Sequence, residues 1–521
     1  MSGSSWQTQL RDAADYAKFG RNELFLNACE CLAGDNSNNS EVLAKISALL
    51  TKYGFISNAK KYLQYALILE QNNKNFLLSL AHIELQLGNP DHFDAISNSL
   101  IELYPKNLHI LSSIIHLTEY RENFTNLQRT TLAKKWGDAA IRTAGGPKQR
   151  PPFRNDLSHP LRIAYLSADF CQHTVGILIK QVVANQDSKK FMIYAYSSGL
   201  VHDWITDEIA KHCQFIDVSA FSDHDLAKQI VLDQIDILID LSGHTGGSRL
   251  SAFAYRPAPL MISMIGYYAT TGLDYIDAAV LDSWHITEST KDQYVEGLIQ
   301  LECGRWCYYP AFPAPLITPP PVIQKGYITF GSFNNTLKYN SSVFQVWADI
   351  LKAVPNSRLI LKWRTFNDSE FRKSTFKTFE MLGIAQDRIE LRGPSFHMHM
   401  LEEYGDIDIA LDPFPFSGGI TSCEALYMGV PVITMPQDRV ASRQTYAFLS
   451  AIRHPELVAD NPNTYQKIAI ALAMNPKKLS EYRDQLRMKM LHSSLMDIKN
   501  FVRSLEHCLL ETYAHKKALE Y

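Results

Sequence analysis

Two dense clusters of glycine and proline cut this chain into three stretches that follow different residue patterns, so no single layer architecture can run from end to end. The first cluster, TAGGPKQRPPFRNDLSHP at residues 143–160, carries residues that break helices and strands alike. The second, YYPAFPAPLITPPPVIQK at residues 308–325, holds six prolines. A length of 521 residues agrees, since domains usually take roughly 100–200 residues each.

Before the first cluster, residues 6–143 place Leu, Ala, Asn and Lys at helical spacing with few strand signals, which predicts an all-α region. Within it, YGFISNAKKYLQYALILEQNNKN is echoed by LGNPDHFDAISNSLIELYPKN. Gly54 and Gly88 lie 34 residues apart, as do Leu69 and Leu103, which is the tetratricopeptide period. Each such unit is a helix pair that buries its apolar face only by stacking on a neighbour. Leu100 stands where the other copy has the small Ala66, so the repeat is degenerate and a plain helical bundle is the alternative.

After residue 160 the pattern becomes short β-branched runs separated by helices: LRIAYLS, FMIYAYS, DILIDLS, MISMIGY and AAVLD. It restarts beyond the second cluster with YITFGSF, SRLILKW, RIELRG, IDIALDP and PVITMP. Strands alternating with helices imply a parallel sheet covered on both faces. The expected organisation is therefore an all-α tetratricopeptide-like region (1–145), a linker (146–160), a first doubly wound lobe (161–310), a Pro-rich linker (311–326), a second such lobe (327–455) and C-terminal helices (456–521). In α/β lobes of this kind ligands bind outside the carboxyl ends of the strands, which directs attention to the cleft between the lobes.

Composition narrows the partners. Lys and Arg number 51 against 54 Asp and Glu, a net charge of −3, so no broad basic field exists for nucleic acid or an anionic membrane. Eight cysteines are too few for a disulfide framework, and the close spacings, Cys29 to Cys31 and Cys303 to Cys307, lack the second pair of a zinc site. A reducing cytoplasm is the expected location. The N-terminus lacks the basic and apolar segments of a secretory signal, and the longest apolar run, residues 258–268, falls short of the ~20 residues of a membrane span.

Four strand-end segments could carry chemistry. In SADFCQHTVG a strand ends and a helix begins just after His173, which is either a proton-transfer group or a helix cap. In DLSGHTGGSRL, His244 sits in a Gly-rich turn where backbone can approach a ligand, or is incidental to that turn. MIGYYATTG sets Gly266 and Gly272 around Tyr267 and Tyr268, a ligand loop or only a tight corner. In TFGSFNNTLKYNSSVFQVW an Asn-rich loop carries Lys338 ahead of a helix capped by Ser341 or Ser342, so loop amides, a helix start and an ammonium can together hold an anion.

A second anion element follows. IDIALDPFPFSGGITSCEALYMGVPVITMP reads strand, Gly418-Gly419 loop, helix and strand, with Thr421 and Ser422 in the first helical turn and Glu424 placed to accept from ribose hydroxyls. No Walker lysine and no GxGxxG occurs, so sugar-nucleotide transfer is favoured over kinase or dehydrogenase chemistry. The one Asp-x-Asp near the cleft, Asp406-Ile-Asp408, reads as structural, so no metal is expected, and Lys338 with the Thr421 helix start would stabilise a departing diphosphate.

Taken in order, LRIAYLSADFCQH, DILIDLSGHT with AYRPAP, FGSFNNTLK, and LDPFPFSGGITSCEALYMGVPVITMP followed by ASR resemble the O-linked N-acetylglucosamine transferase family, particularly its bacterial members, across residues 161–451. The resemblance implies a GT-B fold, a UDP-sugar co-substrate with no further cofactor, inversion at the anomeric carbon and no metal. It implies that His173 is the active-site histidine, Lys338 the lysine that neutralises the diphosphate, and Thr421 and Glu424 the helix-start donor and ribose acid. Asn335 falls where the family has a Gln against the nucleotide, and Gly266 in the loop beside the sugar. Departures from the pattern are Gly419-Ile420-Thr421 where animal enzymes have His-Thr-Thr, Met400 in place of a histidine with His397 and His399 nearby, and Gly266-Tyr267-Tyr268-Ala269 for Gly-Tyr-Pro-Gly.

The expected activity is transfer of N-acetylglucosamine from UDP-N-acetylglucosamine to Ser or Thr of a protein docked on the helical region. Its rivals are glucose transfer to Asn, as in the related bacterial N-glycosyltransferases, and a repeat scaffold whose transferase domain has decayed. The expected site comprises His173 and Lys338 for catalysis, with His244, Gly266, Tyr267, Asn335, Gly418, Gly419, Thr421, Ser422 and Glu424 binding substrate.

Overall fold

The structure is a computed structural model that describes residues 5–156, 158–311 and 313–519. Residues 1–4, which begin the first region delimited above, and 520–521, which end the last, lie outside the described residues, as do Leu157 and Phe312 in the linkers. Four helix pairs come first: α1 (Trp6–Lys18), α2 (Asn22–Asp35), α3 (Ser40–Tyr53), α4 (Ile56–Leu69), α5 (Lys74–Gln86), α6 (Pro90–Leu103), α7 (Leu108–Thr118) and α8 (Asn126–Thr143). The first helix of each pair begins 34 residues after the last, at 6, 40, 74 and 108. The N-caps keep the same step: Ser5, Asn39, Asn73 and Asn107 each accept a backbone N–H of the opening turn. So do the turns within the first three pairs, where Gly20, Gly54 and Gly88 take φ of 69°, 88° and 78°, backbone that a side chain resists. The period seen twice in the sequence therefore spans four units.

The first lobe is a seven-stranded parallel sheet in the order β3-β2-β1-β4-β5-β6-β7. Its strands are β1 (Leu161–Ser167), β2 (Phe191–Ser197), β3 (Gln214–Asp217), β4 (Ile237–Asp240), β5 (Leu260–Ser263), β6 (Ala278–Asp282) and β7 (Gly297–Leu301). The second lobe is a five-stranded parallel sheet, β10-β9-β8-β11-β12, built from β8 (Thr329–Ser332), β9 (Arg358–Lys362), β10 (Ile389–Arg392), β11 (Ile409–Leu411) and β12 (Val432–Ile433). In each sheet the strand order reverses beside the first strand, which opens a crevice between β1 and β4 and another between β8 and β11. The four sequence segments leave β1, β4, β5 and β8, and the Gly418-Gly419 loop leaves β11, so all of them border these crevices.

Packing is continuous across residue 145. The first two helix pairs have a core of their own around Phe25, Ile46 and Leu63. The last two share a core with one face of the first sheet, where Phe93, Ile114 and Trp136 meet Tyr196, Leu238 and Phe253. The last helix, Ile498–Ala518, leaves the second lobe and lies on the first: Glu506 Oε1 accepts from Asp187 N at 2.7 Å, and the Lys516 ammonium sits 3.2 Å from Asp277. Among the described residues no helix is long and apolar enough to cross a membrane.

Candidate donor site between the lobes

Lys338 lies on a short turn of 3-10 helix, Thr336–Lys338, just beyond β8. Its ammonium donates to the Ser417 carbonyl at 2.7 Å and to Asn334 Oδ1 at 3.4 Å, and stands 4.5 Å from the Phe416 ring centroid. Burial pulls its pKa down to about 8, opposed by the carboxylate of Asp412. Asn334 Oδ1 also accepts from Thr421 Oγ1 at 3.2 Å. One amide oxygen thus joins the lysine from β8 to the opening turn of the helix Ile420–Tyr427 that follows β11. A cation and a helix N-terminus meeting in a buried crevice form an anion site.

The Gly418-Gly419 loop is braced from beneath. Asp412 Oδ1 accepts from Gly418 N at 2.6 Å, and its Oδ2 accepts from Thr434 Oγ1 at 2.7 Å. A Cβ on residue 418 would come within 2.1 Å of Ser422 Oγ, so the close turn needs glycine there. Ser422 itself is hydrogen-bonded to Thr445 at 2.8 Å, which makes it a support of the loop. Gly419 is the N-cap of the helix. Glu424, buried one turn further on, meets His397 Nε2 at 2.6 Å; burial raises its carboxyl pKa and His397 lowers it. Asn335 uses its side chain to accept from Leu337 N at 3.1 Å, while its neighbour Asn334 carries the polar bridge. The cap of the helix after Lys338 is Asn340, which accepts from Val343 N at 2.8 Å, and not Ser341 or Ser342; the helix begins one residue earlier than expected, and asparagine caps as well as serine does. Both carboxylates of Asp406-Ile-Asp408 are engaged, Asp406 with Arg392 at 2.7 Å and Asp408 with the backbone N–H groups of Val322 and Thr329 at 3.0 and 2.8 Å.

The first lobe is arranged differently. His173 caps the helix Thr174–Asn185, accepting from Val175 N at 3.3 Å, and its Nδ1 lies 3.6 Å from Asp169 with the side chain 50% exposed. Gly266 backs onto the Leu241 carbonyl and the Val175 side chain, which brings the β5 loop against the start of the His173 helix. His244 is buried, and both its ring nitrogens are taken: Nε2 lies 2.9 Å from the Thr271 carbonyl and Nδ1 2.9 Å from Ser112 Oγ on α7. Burial drives its pKa down to about 3, so the neutral ring donates through Nε2 and accepts the Ser112 hydroxyl proton. With Trp136 packed edge-on at 4.8 Å, His244 fastens the helical region to the first lobe and keeps no ring nitrogen for substrate.

An aromatic series links the two halves. Tyr267 packs on His244 at 5.5 Å, Tyr268 on Tyr267 at 5.3 Å, and Phe416 on Tyr268 at 4.6 Å, beneath the Lys338 ammonium. Tyr120 from the helical region stacks on Phe416 at 4.9 Å. Lys338, Gly418, Gly419, Thr421, Ser422 and Glu424 are thus gathered in the second lobe, Tyr267 is joined to them through Tyr268 and Phe416, and His173 stands with Gly266 in the first. Sequence reasoning missed Asn334, Asp412, Phe416 and Tyr120. Asp412 was visible as a carboxylate ending an apolar strand; Tyr120 carried no local signal, because tertiary packing alone brings it there.

The probable UDP-N-acetylglucosamine–peptide N-acetylglucosaminyltransferase SPINDLY of Hordeum vulgare is 37% identical over 354 residues, covering 67% of this chain and 37% of that protein. Its counterpart in Arabidopsis thaliana is 36% identical over 358 residues, covering 67% of this chain and 39% of that one. The chain therefore spans under two fifths of the length of these relatives. A mutant of the O-GlcNAc transferase of Thermobaculum terrenum superposes over 100% of both chains with a TM-score of 0.90 at 27% identity. The sequence profile of glycosyl transferase family 41 matches residues 126–304 and 322–505, which takes in both lobes, and the chain belongs to that family.

Proposed function

We propose that this protein is an inverting glycosyltransferase that moves N-acetylglucosamine from UDP-N-acetylglucosamine to a Ser or Thr hydroxyl of a protein. The observation that carries the reading is the bridge from the Lys338 ammonium through Asn334 to Thr421, which sets a cation and a helix N-terminus around one anion position. The donor is supported by the names of the SPINDLY relatives and of the Thermobaculum enzyme.

In this reading the acceptor oxygen attacks the anomeric carbon from the face opposite UDP and forms the new glycosidic bond as the carbon–oxygen bond to the β-phosphate breaks. The electron pair stays on the departing diphosphate, where Lys338 and the amides at the start of the Thr421 helix stabilise it. His173, half-exposed at the mouth of the first-lobe crevice, takes the hydroxyl proton. The carboxylates of Asp406 and Asp408 are spent on Arg392 and on backbone, so the protein's own charge does the work expected of a metal elsewhere. Glu424 and Thr421 hold the nucleoside side of the donor.

The test is incubation of the full chain with a panel of UDP-sugars and lysate of its own host, followed by mass spectrometry of labelled peptides. Addition of an N-acetylhexosamine mass to Ser or Thr from UDP-N-acetylglucosamine is expected. Transfer of a hexose to Asn, or no transfer from any UDP-sugar, would overturn the reading.

A further inference from the structure

We propose that the helical region is itself a wall of the donor site, and that Phe19 on its first turn contacts the planar base of the nucleotide. The inference rests on the function proposed above and extends it to a region otherwise assigned only to the acceptor.

A cavity of about 690 Å³ opens beside Thr421. One side is second lobe, with Phe333, Trp363, Arg364 and Phe396; the other is the turn between α1 and α2 together with Lys52 and Tyr53 at the end of α3. Its size suits a nucleotide-sized ligand. Four of its lining residues are cations, Lys18, Lys52, Lys362 and Arg364, and no Asp or Glu lines it. Lys18 and Lys362 each pair with a carboxylate outside the lining, Asp15 and Glu403, both at 2.9 Å. Lys52 and Arg364 supply the positive charge that, with the aromatic surface and a helix N-terminus, fits a ligand that is a planar ring joined to an anion.

Two of the aromatic rings are left largely uncovered. Phe19 is 72% exposed and Phe396 69% exposed, yet they come from different regions and border the same cavity. The local sequence holds Phe19 there. Helix α1 ends in a turn where Arg21 N donates to the Tyr16 carbonyl at 2.9 Å and Gly20 N to Ala17 at 3.1 Å, with Gly20 left-handed. A base entering the cavity would cover both rings and remove apolar surface from water on two sides.

The neighbouring turn, between α3 and α4, is fixed to the second lobe. Gly54, one repeat later, lies so close to the second lobe that a Cβ would come within 2.0 Å of the Arg364 carbonyl. Asp368 Oδ2 accepts from Ser57 N at 2.6 Å, and Asn367 donates to the Tyr53 carbonyl at 3.1 Å. At the other end of the donor cleft, Tyr120 on the turn of the fourth repeat stacks on Phe416, and Glu119 pairs with Arg439 at 2.7 Å. The turns of repeats one, two and four thus face the second lobe, which makes nucleotide binding and docking of the helical region one linked event.

Calorimetric binding of UDP, uridine and pyrophosphate to the full chain tests this. Phe19→Ala is expected to weaken UDP and uridine about tenfold or more, in line with aromatic–base stacking, and to leave pyrophosphate unchanged. Phe19→Trp should restore uridine binding. Lys338→Met should instead weaken UDP and pyrophosphate and spare uridine. Hydrogen exchange at residues 15–24 should slow when UDP is added to the wild-type protein. Unchanged uridine affinity in Phe19→Ala, with Lys338→Met still losing pyrophosphate, overturns this inference and leaves the proposed function standing. Failure of the wild-type protein to bind UDP at all overturns both.

Discussion

The two lobes present loops to one cleft in opposite states of readiness. In the second lobe the side chains around the anion position are already held in place: Lys338 is half-buried and held by Ser417 and Asn334, Gly418 by Asp412, and Ser422 by Thr445. In the first, His173 is 50% exposed and held by a backbone N–H and a carboxylate 3.6 Å away. A site that stabilises developing charge gains from donors fixed in advance, since no reorganisation is then needed as the bond breaks. A group that must meet a variable protein acceptor gains from standing open. The difference separates a prebuilt donor side from an acceptor side that the second substrate completes.

The sharpest way to break that contrast is Lys338→Met, expected to lower turnover by about 10²–10³ with little change in the acceptor's KM. Equal losses in turnover and acceptor KM would place the lysine outside the donor side. His173→Ala should cost about 10² in turnover while leaving UDP affinity as it was, measured by steady-state kinetics alongside calorimetry. A loss of UDP affinity in that variant would erase the distinction between the lobes.

Affinity for UDP should fall by up to about tenfold per pH unit once the pH exceeds the Lys338 pKa of the free protein. In the free protein burial holds Lys338 near 8, and a bound diphosphate raises it. Below about 8 the ammonium is already charged and affinity is flat; above it, binding takes up a proton and affinity weakens as pH rises. Titrations in buffers of different ionisation enthalpy read that proton directly, and proton release or a flat profile above pH 8 would refute the buried cation. The smallest effect is expected of Ser112→Ala, which removes a hydroxyl from the buried His244 ring and should lower stability by about 1–3 kcal/mol, read as Tm, with turnover within about twofold.

All ten runs named from sequence fall on strands, eight of them with neighbours on both sides and two, β10 and β12, at the edges of the smaller sheet. Missing from them were β3 and β7, the two edges of the larger sheet. Gln214–Asp217 is exposed at both ends, and Gly297–Leu301 opens on glycine, so neither shows the continuous apolar run of a covered central strand. The repeat was read at two copies because its buried positions vary, although asparagine caps in the last three units and turn glycines in the first three kept a step of 34. His244 read as a ligand contact because a Gly-rich turn suits one; its actual partners, Ser112 and Thr271, lie 132 and 27 residues away.

The order of apolar runs, the breaks between them and the lysine and glycines at strand ends were set by the sequence, because periodicity, backbone freedom and loop placement act over a few residues. Which side chains share the cavity was decided by tertiary structure alone. Asn334 reaches Thr421 across 87 residues, and Phe19 comes to border the same cavity as Phe396 only because the repeats stack back onto the second lobe. Contacts of that kind depend on burial summed over whole elements, and no local pattern encodes it.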